Sequence, residues 1–249
     1  MIPTDIDAAA RLLLAARHGG PALDHLPVAP ASIAEAHAIQ DATAALLGEP
    51  VGAFKAAAIG DDLPTRGLIY ARTIHPSPAR IPAREVPLCG VEGEVAFRFT
   101  HDLPARAAPY TREEVAAAAQ PCAAIEVIHS RYADQANRTM LEKLSDCVSN
   151  GGFVHAAPVA DWRGLDLEHI HVQLLVNGET VLDQNGGNPS GDPLKVATAL
   201  ANMMRGGTGV RAGQFVTCGT FTGLRFLKPG DACTARFAGL GEASLTFTI

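Results

Sequence analysis

The chain has 249 residues, 47% of them hydrophobic, and a formal net charge of −6, which is enough apolar material for one large domain or a domain with a helical extension. The charge and the lack of any basic run argue against nucleic acid or an anionic membrane surface as partner, and no apolar stretch reaches the roughly 18 residues of a membrane helix. The segment Met1–Asp7 has no basic region followed by an apolar one, so no signal peptide is expected. Five scattered cysteines without a Cys-x-x-Cys pair read as reduced thiols, and the expectation is a soluble cytoplasmic protein.

Helical spacing opens the chain. Asp5 to about Arg17 predicts one helix, stopped by Gly19-Gly20. Ser32 with Glu35 three residues on predicts a capping box for a second helix running to about Leu47. Residues 1–50 therefore read as an N-terminal helical segment and 51–249 as a second, strand-rich domain. From Val51 onward, short apolar runs broken by Gly and Pro predict strands. Glu114–Ala119, after the cap candidate Thr111, and Leu194–Met204, ended by Gly206-Gly207, predict two more helices. Strand candidates lie at Ala123–Ile128, Ile170–Val176 and Gln214–Cys218. A closing hairpin pairs Ala232–Phe237 with Ala243–Thr248 across Ala238–Glu242. Many strands and few long helices predict an α+β fold on a curled mixed sheet.

Candidate chemistry centres on Leu88-Cys-Gly-Val-Glu-Gly-Glu-Val-Ala-Phe97. In a strand, residues i and i+2 share a face, so Glu92 and Glu94 project together from an apolar element. Each would cost several kcal/mol if buried and unpaired. A third acid, Glu126, stands in the apolar run Cys122–Ile128. Three carboxylates on two such strands suit Mg²⁺ or Mn²⁺, hard cations that prefer oxygen and leave positions open for substrate. The alternative is a solvated strand face. Lys55, a lone cation in Val51–Ala58, is either a buried proton-transfer group with a desolvated amine or an edge-strand lysine whose amine reaches water. The Thr- and Gly-rich run Gln214–Gly223 offers hydroxyls and N–H groups to a carboxylate, or is a plain turn. His169 and His171 lack a third zinc ligand and read as surface residues. No nucleophile elbow or Walker loop is present, and Arg205–Gly209 follows a helix, which argues against a dinucleotide site.

These pieces, in order, resemble the 2-keto-4-pentenoate hydratase / 4-oxalocrotonate decarboxylase family of the fumarylacetoacetate hydrolase superfamily. The matching segments are Ala36–Gln40, Gly52–Lys55, Val91–Phe97, Ile125–Arg131, Ser145–Phe153, Val176–Glu179, Leu200–Asn202, Arg211–Gly223, Lys228–Asp231 and Phe237–Gly241. The resemblance implies a curled β roll, a Mg²⁺ or Mn²⁺ site at Glu92, Glu94 and Glu126, and Lys55 as substrate-binding and acid/base group. Thr220, Thr222, Ser149 and Arg131, within the matching segments, are the expected substrate contacts, and His129, where the chain departs from the pattern, is a further candidate. Glu at the third ligand, Glu126, points to the hydratase and decarboxylase branch, where hydrolases generally carry Asp. The implied substrate is a small 2-oxo or 2-hydroxydienoic acid from aromatic degradation, handled by a homo-oligomer. Hydration is the first expectation and decarboxylation of a 2-oxo-3-enedioate the second. Acylpyruvate hydrolysis follows, and a non-catalytic partner subunit is disfavoured by the retained acids and lysine. The chain departs from the family pattern at Ala57 and Ile59, at His129, and over Asp134–Lys143. If His129, Arg138 and Lys143 line the distal end of the pocket, they favour a dicarboxylic substrate; otherwise the segment is a solvated loop.

Overall fold

Two amphipathic helices, α1 (Pro3–Arg17) and α2 (Ile33–Leu47), lead into the strands of a computed structural model that describes residues 1–60 and 63–249. Ser32 caps α2 by accepting the Glu35 N–H at 3.2 Å. The expected capping box is only half formed, because Glu35 turns its carboxylate to the N–H of Ala31, at 2.7 Å, and to the Met1 ammonium. The two helices bury Ala9, Leu13 and Ile39 against Leu26 and Tyr132 in a small cluster of their own. Gln40 of α2 donates to the carbonyls of Arg66 and Leu144, tying the helices to the sheet layer.

The strands follow as β1 (Val51–Ala57), β2 (Thr65–Tyr70), β3 (Ile74–Pro76), β4 (Ala79–Pro82) and β5 (Gly90–Phe99). After α3 (Arg112–Ala118) come β6 (Ala119–Ile128), α4 (Met140–Ser145), β7 (Asn150–His155), β8 (His171–Val176) and β9 (Glu179–Asn185). The chain ends with α5 (Pro193–Met204), β10 (Phe215–Thr220), β11 (Arg225–Phe226), β12 (Ala232–Phe237) and β13 (Gly241–Thr248). Thr111 and Glu114 form the capping box that starts α3, and β12 and β13 pair in the closing hairpin, with a turn shorter than expected. One sheet runs β2-β1-β10-β5-β6-β7-β3, with β11 added to β5, and the other β4-β13-β12-β8-β9. Parallel pairs (β1 with β10, β3 with β7, β4 with β13) alternate with antiparallel ones, so both sheets are mixed. Among the described residues, no helix is long and apolar enough to cross a membrane.

Side-chain alternation divides the larger sheet into two faces. Val91, Val95 and Phe97 of β5 and Ile125 and Val127 of β6 pack with Ala235, Phe237, Leu245 and Phe247 of the second sheet in the main core. The opposite face buries Ala53, Ile69, Ala96, Cys122, Ala124, Phe153 and Phe215 in a separate cluster. Ile69 of β2 and Phe153 of β7 meet there although four strands lie between theirs. The sheet is therefore curled, and its concave face carries the even-numbered positions of β5 and β6.

Candidate metal centre and active site

Glu92, Glu94 and Glu126 stand on that concave face, where the apolar cluster gives way to charge. Glu92 lies directly opposite Glu126 in the β5–β6 register, and Glu94 opposite Thr220 of β10. One carboxylate oxygen from each of the three glutamates lies within 4.8 Å of the others. Glu94 and Glu126 are buried, at 2% and 0% exposure, so no solvated face exists to excuse them. Lys55 belongs to β1, which runs between β2 and β10, and this overturns its reading as an edge-strand lysine. Its ammonium is 2.8 Å from Glu126 Oε1 and donates to the Val148 carbonyl at 3.1 Å.

Each acid keeps an oxygen available. Glu94 Oε2 accepts the Thr217 hydroxyl and, at 2.9 Å, the Gly219 N–H. Glu126 Oε1 accepts Asn150 Nδ2 at 2.8 Å, whereas Glu126 Oε2 is buried without a partner. Three carboxylates against one ammonium, with an orphaned oxygen turned inward, fit a hard divalent cation and are costly without one. The same imbalance shifts the pKa values of these groups. Burial, opposed by Lys55 and reinforced by Glu126, pushes Glu92 up to about 7. Burial first, then the charges of Glu126 and Glu92, carries Glu94 well above the carboxylate range. For Lys55, burial favours the neutral amine, but Glu126, Glu92 and Glu94 outweigh it and hold the pKa above that of an ordinary lysine. These charges thus keep Lys55 an ammonium.

A cavity of about 180 Å³ opens over these groups, with Lys55, Glu92, Glu94 and Thr220 in its walls beside Asn188 and Ser190. The other expected substrate contacts lie elsewhere. Thr222 sits behind β5, where its hydroxyl accepts the Gly93 N–H at 2.8 Å; Gly93 has no Cβ because one would come within 2.8 Å of Thr222 Cγ2. Arg131 is 3% exposed and spends its guanidinium on Asp146 and on the carbonyls of His129, Asn150 and Asp146. Ser149 is buried, its carbonyl accepting the His129 N–H at 2.8 Å. His129 stands behind that turn, half-buried, with burial and then Arg131 pushing its pKa down to about 4. None of these four lines the cavity. Of the polar segment, Arg138 lies 3.8 Å from Glu142 and Lys143 donates to the Ala136 carbonyl, while Met140 is the residue that reaches the cavity. His169 and His171 pair separately with Asp166 and Asp183 on the surface.

Three residues that sequence reasoning missed complete the site. Asn150 holds Glu126, Thr217 holds Glu94, and Val148 presents its carbonyl to Lys55. Val148 can do so because Cys147, Val148 and Ser149 all take left-handed backbone conformations, with φ of 53°, 49° and 59°. A β-branched residue there is strained, and the Arg131–Asp146 pair beneath the turn holds it in place. Asn150 and the turn lie within Ser145–Phe153, a segment that the sequence marks only by its resemblance to the family.

Comparison with known proteins agrees with this architecture. Residues 70–248 match the fumarylacetoacetate (FAA) hydrolase C-terminal family. A 2-keto-4-pentenoate hydratase of Burkholderia vietnamiensis is 31% identical over 76% of this chain and 72% of its own. One from Paraburkholderia phymatum is 30% identical over 82% and 78%. The structure of 4-oxalocrotonate decarboxylase from Pseudomonas putida G7, complexed with magnesium and adipate, superposes with a TM-score of 0.84 over 99% of this chain and 98% of that one, at 22% identity. The chain belongs to the fumarylacetoacetate hydrolase C-terminal family, in the group that joins 2-keto-4-pentenoate hydratases to 4-oxalocrotonate decarboxylases.

Proposed function

We propose that this protein is a metal-dependent hydratase that adds water to a 2-hydroxy-2,4-dienoate and yields a 4-hydroxy-2-oxo acid. The observation that carries the reading is the buried set of Glu92, Glu94 and Glu126 with Lys55 ion-paired to Glu126 at the floor of a small cavity. The hydratases among the relatives, at about 30% identity over most of the chain, support it. When bound by the three glutamates, Mg²⁺ or Mn²⁺ supplies Lewis-acid polarisation of the 2-oxo acid end of the substrate.

The protein's own groups account for orientation and proton movement. The Lys55 ammonium attracts the substrate carboxylate and holds a proton at Nζ, between Glu126 Oε1 and the Val148 carbonyl. The Thr220 hydroxyl, on β10 beside Glu94, fixes the orientation of the acid end. The reaction balances in two stages: the enol proton leaves O2 as a proton reaches C5, giving a 3-ene-2-one, and water then adds hydroxyl to C4 and a proton to C3. An ammonium held at Nζ can deliver a proton and be recharged from water. The proposal extends to a homo-oligomer in the cytoplasm, whose mass light scattering would measure. The deciding assay follows loss of dienol absorbance with Mg²⁺ or Mn²⁺ and after chelation, with CO₂ measured in parallel. Metal-dependent loss without CO₂ is expected; stoichiometric CO₂ release would make the protein a decarboxylase instead.

A further inference from the structure

The cavity over the acids does not end at its own far wall. Ala57, Ile59, Thr65 and Met140 line it and also line a second cavity of about 450 Å³. Beyond those shared residues, the second space is walled by Leu141 and Leu144 of α4, by Ile33 of α2, and by Leu63. Among the described residues that line it, every group is apolar except the Thr65 hydroxyl. Three of these side chains are large and solvent-exposed, with Ile59 at 47%, Met140 at 58% and Leu63 at 74%. Apolar surface gathered at the mouth of a site is a binding feature more often than chance exposure.

No cation is free to serve this end among the described residues that line it. Arg66, the basic neighbour nearest in sequence, lines the cavity over the acids but not this second one, and its Nη2 donates to both oxygens of Asp41 at 2.8 Å. Arg138 and Lys143 are turned to Glu142 and the Ala136 carbonyl. A carboxylate placed here would gain no counter-charge from the described lining residues. An alkyl or aryl group would instead bury apolar surface, and an apolar cavity of about 150 Å³ is already enough for a benzene ring.

We propose that this second cavity receives the C5 substituent of the substrate, and that the protein prefers dienoates with an uncharged alkyl or aryl extension over both the unextended dienoate and the dicarboxylate. The inference rests on the hydratase reading for the direction of the substrate, since the acid end must lie over Glu92, Glu94 and Glu126.

The experiment compares kcat/KM for 2-hydroxypenta-2,4-dienoate, 2-hydroxyhexa-2,4-dienoate, its 6-phenyl derivative and 2-hydroxyhexa-2,4-dienedioate. In parallel, calorimetry measures Kd for 2-oxohexanoate and 2-oxoadipate on the metal-loaded protein. We expect kcat/KM to rise roughly two- to fourfold per added methylene, and 2-oxohexanoate to bind about tenfold more tightly than 2-oxoadipate. In Met140→Lys, an exposed position at the start of α4, the order of the two oxo acids should reverse. Ile59→Lys repeats the test from the opposite wall. Equal or tighter binding of 2-oxoadipate by the wild type, or extended dienoates slower than the unextended one, would overturn the proposal. Turnover with a dicarboxylate preference would sink it while leaving the hydratase standing. Absence of all turnover with the apolar binding preference intact would do the reverse.

Discussion

Lys55 shows how one residue's role depends on its neighbours' charges. Desolvation alone favours a neutral amine, but three carboxylates a few ångströms away reverse that preference and keep it an ammonium. Lys55→Met therefore removes both the proposed proton donor and, among the described residues, the only positive charge that Glu126 meets in an ion pair. Turnover should fall by about 10²-fold or more, the scale of a positioned proton-transfer group. The metal-free variant should also melt at a lower temperature than the wild type, because Glu126 is left buried and unpaired, with added Mn²⁺ narrowing the gap. Steady-state kinetics and a pair of thermal scans check this. A variant of full activity would remove Lys55 from the chemistry.

At the scale of elements, the site is held by a turn with no regular structure of its own. Three successive left-handed residues link α4 to β7, and they aim the Val148 carbonyl at Lys55 and bring Asn150 onto Glu126. The strain is sustained from below by Arg131, three residues past the end of β6, whose guanidinium is saturated by Asp146 and backbone carbonyls. Arg131→Met should thus act on stability and not on substrate choice. Breaking a buried pair by deleting one partner costs about 3–5 kcal/mol, readable as a lowered urea midpoint with unchanged m-value. The ratio of kcat/KM between dienoates of different C5 substituent should stay within about twofold in the surviving folded protein. A selective change in that ratio would return Arg131 to the substrate site.

For the whole molecule, the acid cluster couples stability to pH and to metal. Glu92 is near 4.5 when unfolded and is pushed up to about 7 when folded, chiefly by burial, with Glu94 shifted in the same direction. Between those values the folded state binds more protons than the unfolded one, so metal-free stability falls as pH rises from about 4.5 to 7. A divalent cation binds the ionised form and competes with those protons. Its stabilisation, about 2.7 kcal/mol at a hundredfold excess over Kd, should therefore grow over the same window. Thermal scans at pH 5, 6 and 7 with and without Mn²⁺ measure the increment. An increment that shrinks with pH would contradict the assignment of the three glutamates as ligands.

Much of this was legible in the residues alone. Alternation along β5 put Glu92 and Glu94 on one face, since period-two geometry is a property of any strand, and the caps at Ser32 and Thr111 marked helix starts by local chemistry, whereas strand pairing set Glu126 opposite Glu92. The same period hid what lay behind: Thr222, four residues past Cys218, falls on the far side of β5 because the chain turns before it. Arg131 and His129 follow Glu126 closely in sequence, yet the chain leaves the sheet there and turns them away from the cavity. Ala57 and Ile59, the departures from the family pattern, and Met140, inside a segment that reads as polar, became the apolar wall of one space only when the N-terminal helices, α4 and β1 were brought together. Local sequence determined the faces, caps and ligand types through short-range geometry. Long-range packing decided what each face met, and thereby which charges were answered, which carbonyl reached Lys55, and how the far end of the cavity was lined.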